Sequence, residues 1–593
     1  MQISFRKQLW DRTGFCASLF LFLYLFGSML LPLYSGIDNY LISLVTNGVY
    51  SNKDNYVIFL HPFLCGSIKW LHNLLPFADV YLLLTEILTA IGVWIFSYCT
   101  LELSSTYYQK FYSQVILYAL VMYKTSRCFD NFTITAVFFF CVGIILIGYA
   151  LLRYNGVHRI RIIVCSILYI AFGYMWRSDA AIMGVPYLGV VLFTCYVILW
   201  QRNSTYKRPE NYTSFIRKDI ILHCSCIFIV VMLVFGGLMI INTIVHTSSY
   251  YCNAVAYNNT RSYLTDYSQT WAEIADAPND SNVTENDTKV AATMFLADTE
   301  NLTLERLQKI AEHASKDIIP IPSIEYVYVM LMSMTIFCPT FAILELVSLL
   351  TILFSKYNRY QKISIILIFL SYCCYSTYFI HIGRVLPRVY SGLYYYIFVA
   401  VMIILSERSP LQCINESKTL LQNKCRVVIN SFSLIIIIFV SIVQLALVMK
   451  HCKPMQLALT ANYNNDNVVD QNWQEDDNLY VWEVYSLDET LMKDYMNTGK
   501  LYSCNFIKHN IPSGEWIYGQ RYFEDYLTWS KIGNPLKALL TRKNTYYVGT
   551  DKSIKIVQTY IREHCSDKYN AVRVRDYQGL DKKIYSVWKF TRE

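Results

Sequence analysis

The sequence is divided into apolar blocks of about twenty residues, separated by shorter polar segments. A bilayer has a hydrocarbon core about 30 Å thick, which an α-helix crosses in about 20 residues. Because backbone groups inside lipid must bond within their own segment, such blocks fold as helices. We therefore predict an α-helical polytopic membrane protein with about 11 transmembrane helices, at 14–34, 79–101, 111–123, 132–152, 162–176, 181–200, 220–244, 326–355, 363–382, 391–405 and 427–449.

Lysines and arginines are distributed unequally between the two sides of these helices. Cations beside a spanning helix are retained on the cytoplasmic side. Segments assigned to the cytoplasm carry 19 of them, whereas the short segments on the other side carry seven. We therefore predict a multi-pass plasma-membrane protein with a cytoplasmic amino terminus and an extracytoplasmic carboxyl terminus. The net charge of +8 follows from this bias, so the bilayer is an expected partner and nucleic acid is not.

Three segments on the predicted outer side are too long to be turns. The first two, at 35–78 and 245–325, belong to a transmembrane domain over residues 1–449 and contain helix-like stretches at 61–75 and 303–315. The third, 450–593, is long enough for one small domain. After a polar linker at about 450–478, strand-like and helix-like runs alternate, which predicts an extracytoplasmic α/β domain. These runs are Leu479 to Val484, Glu489 to Met496, Tyr522 to Lys531, Thr545 to Val548, Ser553 to His564 and Ile584 to Phe590.

Several ionisable residues border the predicted helices on the outer side. Charged groups at membrane depth are costly, so those at its border are candidates for function. They are Asp38, Arg177, Asp179, Arg384 and Arg388. Arg384 and Arg388 stand against the positive-inside tendency, which favours a function for them. A helix-end carboxylate facing water, for Asp38, and a loop ion pair, for Arg177 with Asp179, are the plain alternatives.

Arg261 and His61 are weaker candidates. Arg261 lies five residues before Asp266 in the second outer segment, and a local ion pair between them is the favoured interpretation. His61 precedes Pro62 and is a possible acid/base group. A single histidine beside an interfacial helix is more often structural.

Gathered in one outward cavity, these residues would suit phosphate chemistry. Arginine stays charged and offers paired planar donors, so it can hold a lipid diphosphate and stabilise the charge that develops on a leaving group. A carboxylate opposite can accept a proton. Asp38 would then be the general base that activates an acceptor hydroxyl.

Along most of its length the chain also resembles bacterial polytopic membrane proteins similar to the GT-C glycosyltransferases. In that group two acidic residues commonly open the first outer loop, where this chain has Asp38-Asn39. The stretch that runs on to Tyr50 resembles the group as well. Four further parts of the chain resemble the group: Arg177 with Pro186, Arg261 to Tyr267, Arg384 to Val389, and Asn534-Pro535-Leu536 to Tyr547.

The resemblance implies a GT-C-like fold and transfer of a sugar from a polyprenyl-phosphate donor to a cell-envelope glycan or lipid acceptor on the outer face. It implies that Asp38 is at the position of the catalytic acid. Asn39 is neutral, so binding of a divalent cation by two adjacent carboxylates is not supported, and we expect no cofactor. No metal-ligand spacing is present either.

Two other functions fit the same residues. A transporter or flippase for a lipid-linked glycan would use the arginines to bind its cargo without breaking a bond, and broken helices with a continuous polar path would favour it. A non-catalytic envelope protein would use the bundle as an anchor and the carboxyl-terminal domain to bind glycans. A closed outward pocket would favour that role.

Overall fold

The computed structural model describes residues 2–30, 37–50, 56–104, 107–126, 132–204, 210–247, 249–266, 283–313, 321, 323–337, 359–406, 478–487, 509–578 and 584–593. The described part up to residue 406 is helical. Its helices are α1 (Gln2–Leu30), α2 (Ile37–Thr46), α3 (Pro62–Leu74), α4 (Val80–Leu103), α5 (Tyr107–Ser126), α6 (Phe132–Arg153), α7 (Gly156–Trp176), α8 (Ser178–Ile182), α9 (Val185–Ser204), α10 (Glu210–His246), α11 (Ser249–Thr265), α12 (Glu285–Ala292), α13 (Leu304–His313), α14 (Ile324–Phe337), α15 (Arg359–His381) and α16 (Pro387–Leu405).

Among the described residues, seven helical segments are long and apolar enough to cross a membrane. They are Val80–Leu103, Phe132–Arg153, Gly156–Trp176, Ser178–Arg202, Lys218–His246, Arg359–His381 and Arg388–Leu405. The apolar part of α1, Arg12–Gly27, is shorter. The predicted helical membrane protein is thus confirmed. The predicted helix at 427–449 and most of that at 326–355 lie outside the described residues.

Helix α6 is at the centre of the bundle. Its sequence is apolar on every side, and residues 132–152 are all buried. A helix without a polar face is surrounded by protein or lipid, and here α4, α7, α9 and α16 pack around it. The remaining spans therefore form a shell about one core helix.

Glycines allow the closest helix contacts in this shell. A Cβ on Gly173 of α7 would lie 2.8 Å from the carbonyl oxygen of Ala136 and 3.1 Å from the backbone nitrogen of Phe140. Small residues at such crossings let helix backbones approach each other in a membrane. Gly173 thus fixes α7 against α6 just before the α7–α8 turn.

The carboxyl-terminal residues form a small α/β unit, as the sequence predicts. Its elements are β1 (Leu479–Trp482), α17 (Val484–Leu487), β2 (Asn510–Pro512), α18 (Arg521–Trp529), α19 (Pro535–Thr541), β3 (Thr545–Gly549), α20 (Asp551–His564), β4 (Tyr569–Gln578) and β5 (Ile584–Arg592). The predicted strands at 479, 545 and 584 and the helices at 522 and 553 are confirmed. The linker at 450–477 and the helix-like run at 489–496 lie outside the described residues.

The sheet has five strands in the order β2-β1-β3-β5-β4. The pairs β2–β1 and β1–β3 are parallel, with Val481 opposite both Ile511 and Tyr547. The pairs β3–β5 and β5–β4 are antiparallel. All four residues of β1 are buried, as expected for a short apolar strand between two parallel neighbours.

Aromatic side chains join this unit to the helical bundle. The ring of Tyr50, which follows α2, lies 5.2 to 6.3 Å from the rings of Tyr522, Phe523 and Tyr526 in α18. Aromatic ring pairs at these distances stabilise a contact by more than the burial of their apolar area alone. We call the end of the bundle that carries the α/β unit, where α7 ends and α6 begins, the domain face. The end where α6 finishes at Arg153 is the opposite face.

Candidate functional site

Asp38 lies in the first turn of α2, at the domain face. A carboxylate there interacts favourably with the positive end of the helix dipole. Its Oδ2 is 3.9 Å from Nη1 of Arg388, which lies in the first turn of α16 beside Pro387. The two side chains remain 24% and 29% exposed, so the ion pair is accessible and adds little to stability.

Arg177 forms the turn between α7 and α8. Its Nη1 donates to Thr133 Oγ1 at 2.9 Å, and its guanidinium lies 4.7 Å from the ring centre of Phe132 and 5.7 Å from that of Phe59. A cation over aromatic faces is held electrostatically as well as by packing. The planar group is therefore fixed in direction.

The charges of the other predicted residues act on Arg177. Burial, followed by the positive charges of Arg388 and Arg384, lowers the pKa of Arg177 to about 10. Asp179 and Asp38 act in the opposite direction. The structure thus brings three arginines and two aspartates within electrostatic reach of one another, although they come from α2, the α7–α8 turn and the α15–α16 connection.

The position of Arg384 follows from the way in which α15 ends. Gly383 has a φ of +72°, and the backbone nitrogens of Gly383 and Arg384 donate to the carbonyls of Ile380 and Phe379. This is a Schellman cap, which requires the left-handed conformation that glycine adopts without strain. The cap reverses the chain direction after α15 and leads through Arg384 into α16.

Glu515 joins this group from the α/β unit. It follows β2, is 4% exposed and has a φ of +90°. Left-handed backbone is strained for a residue with a Cβ, and such strain is common where surrounding structure holds a functional side chain. Burial raises the pKa of Glu515 to about 7, while the charge of Arg261 opposes this rise and the charges of Asp38 and Asp266 add to it. Glu515 and Asp38 therefore interact across the junction between the bundle and the α/β unit.

The loop that carries Glu515 is fixed by a close backbone approach. Ser513 donates its N–H to the carbonyl of Trp482 and accepts from the backbone nitrogen of Leu296. A Cβ on Gly514 would collide with the carbonyl oxygen of Met294. Only glycine fits there, so the segment at 245–325, which contains Met294, determines where Glu515 lies.

Arg261 is buried in α11 among local partners. Its guanidinium donates to Asn258 Oδ1 at 3.0 Å and to Thr265 Oγ1 at 3.2 Å, and it lies 3.8 Å from Asp266 Oδ1. The pair with Asp266 that the sequence suggested is present. Through its charge on Glu515, Arg261 also contributes to the electrostatics of the site.

His61 and Asn39 have structural partners. The Nδ1 of His61 accepts from the backbone nitrogen of Phe63 and caps α3, and its Nε2 lies 2.9 Å from the carbonyl oxygen of Leu238. Burial lowers the pKa of His61. The Oδ1 of Asn39 accepts from Tyr81 Oη and from the backbone nitrogen of Phe132, both at 3.3 Å.

A cavity of about 490 Å³ lies near the end of α15 that leads to Arg384. It is lined by Ile321, Cys373, Cys374, Thr377, Tyr378 and His381. Since Ile321 and Tyr378 are exposed as well as apolar, this surface suits hydrocarbon rather than water.

The sequence does not reveal Glu515. Ser513-Gly514 is a turn signal, but nothing in it indicates that the next side chain is buried within the electrostatic influence of Asp38. Within the described part of the chain, no three His, Cys, Asp or Glu side chains are placed to hold a metal ion. Comparison with protein-family models and with curated protein sequences gives no match to this chain.

Proposed function

We propose that this protein transfers a sugar from a polyprenyl-phosphate carrier to a cell-envelope glycan or lipid. We further propose a GT-C-like bundle of about 11 transmembrane helices in the plasma membrane, with a cytoplasmic amino terminus and an extracytoplasmic domain face. The observation that carries the proposal is the convergence of Asp38 with Arg177, Arg384 and Arg388 at the border of the membrane-spanning helices.

In the proposed reaction, an acceptor hydroxyl attacks the anomeric carbon of the donor sugar. A C–O bond to the acceptor forms, the C–O bond to phosphate breaks, and polyprenyl phosphate leaves. Asp38 takes the proton of the hydroxyl. Arg177, Arg384 and Arg388 stabilise the charge on the departing phosphate. The partly exposed Asp38–Arg388 pair leaves both groups accessible to a substrate.

Two further features support this assignment. The accessible cavity beside α15 would receive the first isoprene units of the carrier, since it is close along the chain to Arg384. Glu515 supplies a further carboxyl group, and burial brings its pKa to about 7, where a side chain exchanges protons at neutral pH. The charge of Arg261 lowers the pKa of Glu515, and the charge of Asp179 raises that of Arg177.

The test is sugar transfer in membranes that contain the full chain, with a panel of radiolabelled polyprenyl-phosphate sugars as donors. We expect Asp38→Asn to lower turnover about 100-fold or more, and Arg388→Gln to lower it about 100-fold. Asp567→Asn and Arg592→Gln are matched controls, because both residues are exposed in the α/β unit. Undiminished turnover in Asp38→Asn would refute its assignment as base. Transfer by neither wild type nor variants across the panel would refute the proposed donor class.

A further inference from the structure

A polar cavity of about 420 Å³ opens at the opposite face of the bundle. The end of α6, the start of α7, the end of α9 and the first half of α10 surround it, and its lining includes Arg153, Arg159, Arg202 and Asp219. Helix α6 separates it from Arg177, and 22 residues at about 1.5 Å each give roughly 33 Å, the thickness of the hydrocarbon core. The cavity is therefore at headgroup depth in the other leaflet.

Backbone carbonyls orient the three arginines. Arg153 Nη2 donates to Glu102 O at 2.9 Å, Arg159 Nε to Tyr154 O at 2.8 Å, and Arg202 Nη1 to Leu152 O at 2.8 Å. These carbonyl acceptors carry no formal charge, and they fix the direction of the guanidinium groups. A guanidinium has five N–H donors in a planar fork, which suits phosphate oxygens.

Negative charge on the lining is limited. Among the described lining residues the one carboxylate is Asp219, whose Oδ1 lies 3.5 Å from Nδ1 of His223. The described lining residues therefore include three arginines and one aspartate, and like charges around one cavity repel one another, which an entering anion relieves. The volume falls within the range of small-ligand sites.

We propose that this cavity binds a phosphate group, carried by the headgroup of an anionic membrane lipid or by a small soluble phosphate ester. Basic pockets between spanning helices bind acidic headgroups through this chemistry. The inference does not rest on the proposed sugar transfer, since it concerns other residues at the other end of the bundle.

The test uses the full chain purified in a neutral detergent and titrated by native mass spectrometry. The probes are phosphatidylglycerol, phosphatidylcholine and glycerol phosphate. We expect wild type to bind phosphatidylglycerol more tightly than phosphatidylcholine, whose choline cancels the phosphate charge. Arg159→Gln should weaken phosphatidylglycerol binding about tenfold, the scale of a charge-assisted hydrogen bond. Arg161→Gln is the matched control, because Arg161 is exposed on the same helix and does not line the cavity.

A second variant distinguishes a specific loss of binding from misfolding, because it is expected to bind more tightly. Asp219→Asn removes the repelling carboxylate and should tighten phosphatidylglycerol binding about threefold, as expected for an exposed charge pair. Binding of the lipid with no displacement by glycerol phosphate supports a headgroup site, and displacement at similar concentration supports a soluble ester. Equal effects of Arg159→Gln and Arg161→Gln, or no binding of either anionic probe to wild type, would overturn the proposal.

Discussion

The ionisation of Glu515 makes the stability of this protein depend on pH. Its pKa in the folded chain is about 7, against an ordinary value of 4.5. Between these two values the folded state binds more protons than the unfolded state, so stability falls as pH rises. Below about pH 4.5 both states are protonated, and above about pH 7 both are ionised, so the contribution is constant outside the window.

The size of the effect follows from the shift. The difference between 4.5 and about 7, at 1.36 kcal/mol for each pH unit, corresponds to about 3 kcal/mol, most of it lost between pH 5 and pH 7. Glu515→Gln removes the ionisable group and keeps its size. We therefore expect the variant to lose much less stability than the wild type over this interval, and to be the more stable protein at pH 8.

The assay is thermal unfolding of the purified full chain in detergent, at half-unit steps from pH 5 to pH 8. Glu312→Gln is the matched control, since Glu312 is an exposed glutamate of the segment at 245–325. Its profile should follow that of the wild type. If Glu515→Gln and wild type show parallel profiles, Glu515 titrates near its ordinary value, and the argument that burial and the charge of Asp38 oppose its ionisation is refuted.

Three other predictions follow from the geometry. Asp38→Asn should move the Glu515 transition to lower pH, because the charge of Asp38 raises that pKa; an unchanged midpoint in the unfolding series would contradict their proximity. Gly173→Ala should cost about 1–3 kcal/mol through overpacking against α6, whereas Gly189→Ala, which meets nothing within 4 Å, should not; their melting temperatures check this. Cys374→Trp should narrow the cavity beside α15 and raise KM for the polyprenyl donor several-fold with kcat retained, and Cys165→Trp, exposed elsewhere, should leave both unchanged.

The parts of the fold that the sequence predicts are those set by local composition. The apolar run of α6 has no polar face, so a buried helix is the one structure that satisfies its backbone. Strand β3 was predicted from the aromatic and β-branched run Thr545 to Val548. The two edge strands, β2 and β4, are not predicted by the sequence. Strand β2 is only three residues long, and β4 alternates valine with Arg573 and Arg575, which resembles a solvated segment.

The number of spanning helices is harder to read from composition. Helix α5 includes Gln114, whose amide accepts from Ser97 Oγ at 2.6 Å and donates to Thr100 Oγ1 at 2.8 Å. Bonds of this kind let a helix with polar residues pack beside a membrane helix. Hydropathy alone does not show whether such a helix crosses the bilayer.

The candidate site was predicted in part because charge at the membrane border is costly wherever it occurs. That argument selects Asp38, Arg177, Arg384 and Arg388 one by one. It does not say which side chains meet, because the Asp38–Arg388 pair joins residues from opposite ends of the bundle sequence. The sequence does not predict a site role for Glu515, because glutamates are common in an α/β domain. Its burial depends on the approach of Met294 to Gly514, which the sequence does not show.

The proteins that this chain resembles commonly have two adjacent acidic residues, whereas this chain has Asn39 after Asp38. The surroundings of Asn39 show what a carboxylate would meet there. Its side-chain oxygen accepts from Tyr81 and from the backbone of Phe132, so a carboxylate at 39 would be buried beside the start of α6. The charge of Asp38 acts instead on Glu515, a buried carboxyl group of the α/β unit. On the proposed function, Glu515 takes part only when that unit is docked, whereas Asp38 and Asp179 belong to the bundle itself. Docking through Tyr50 and α18 would then control the chemistry as well as the stability of the domain face.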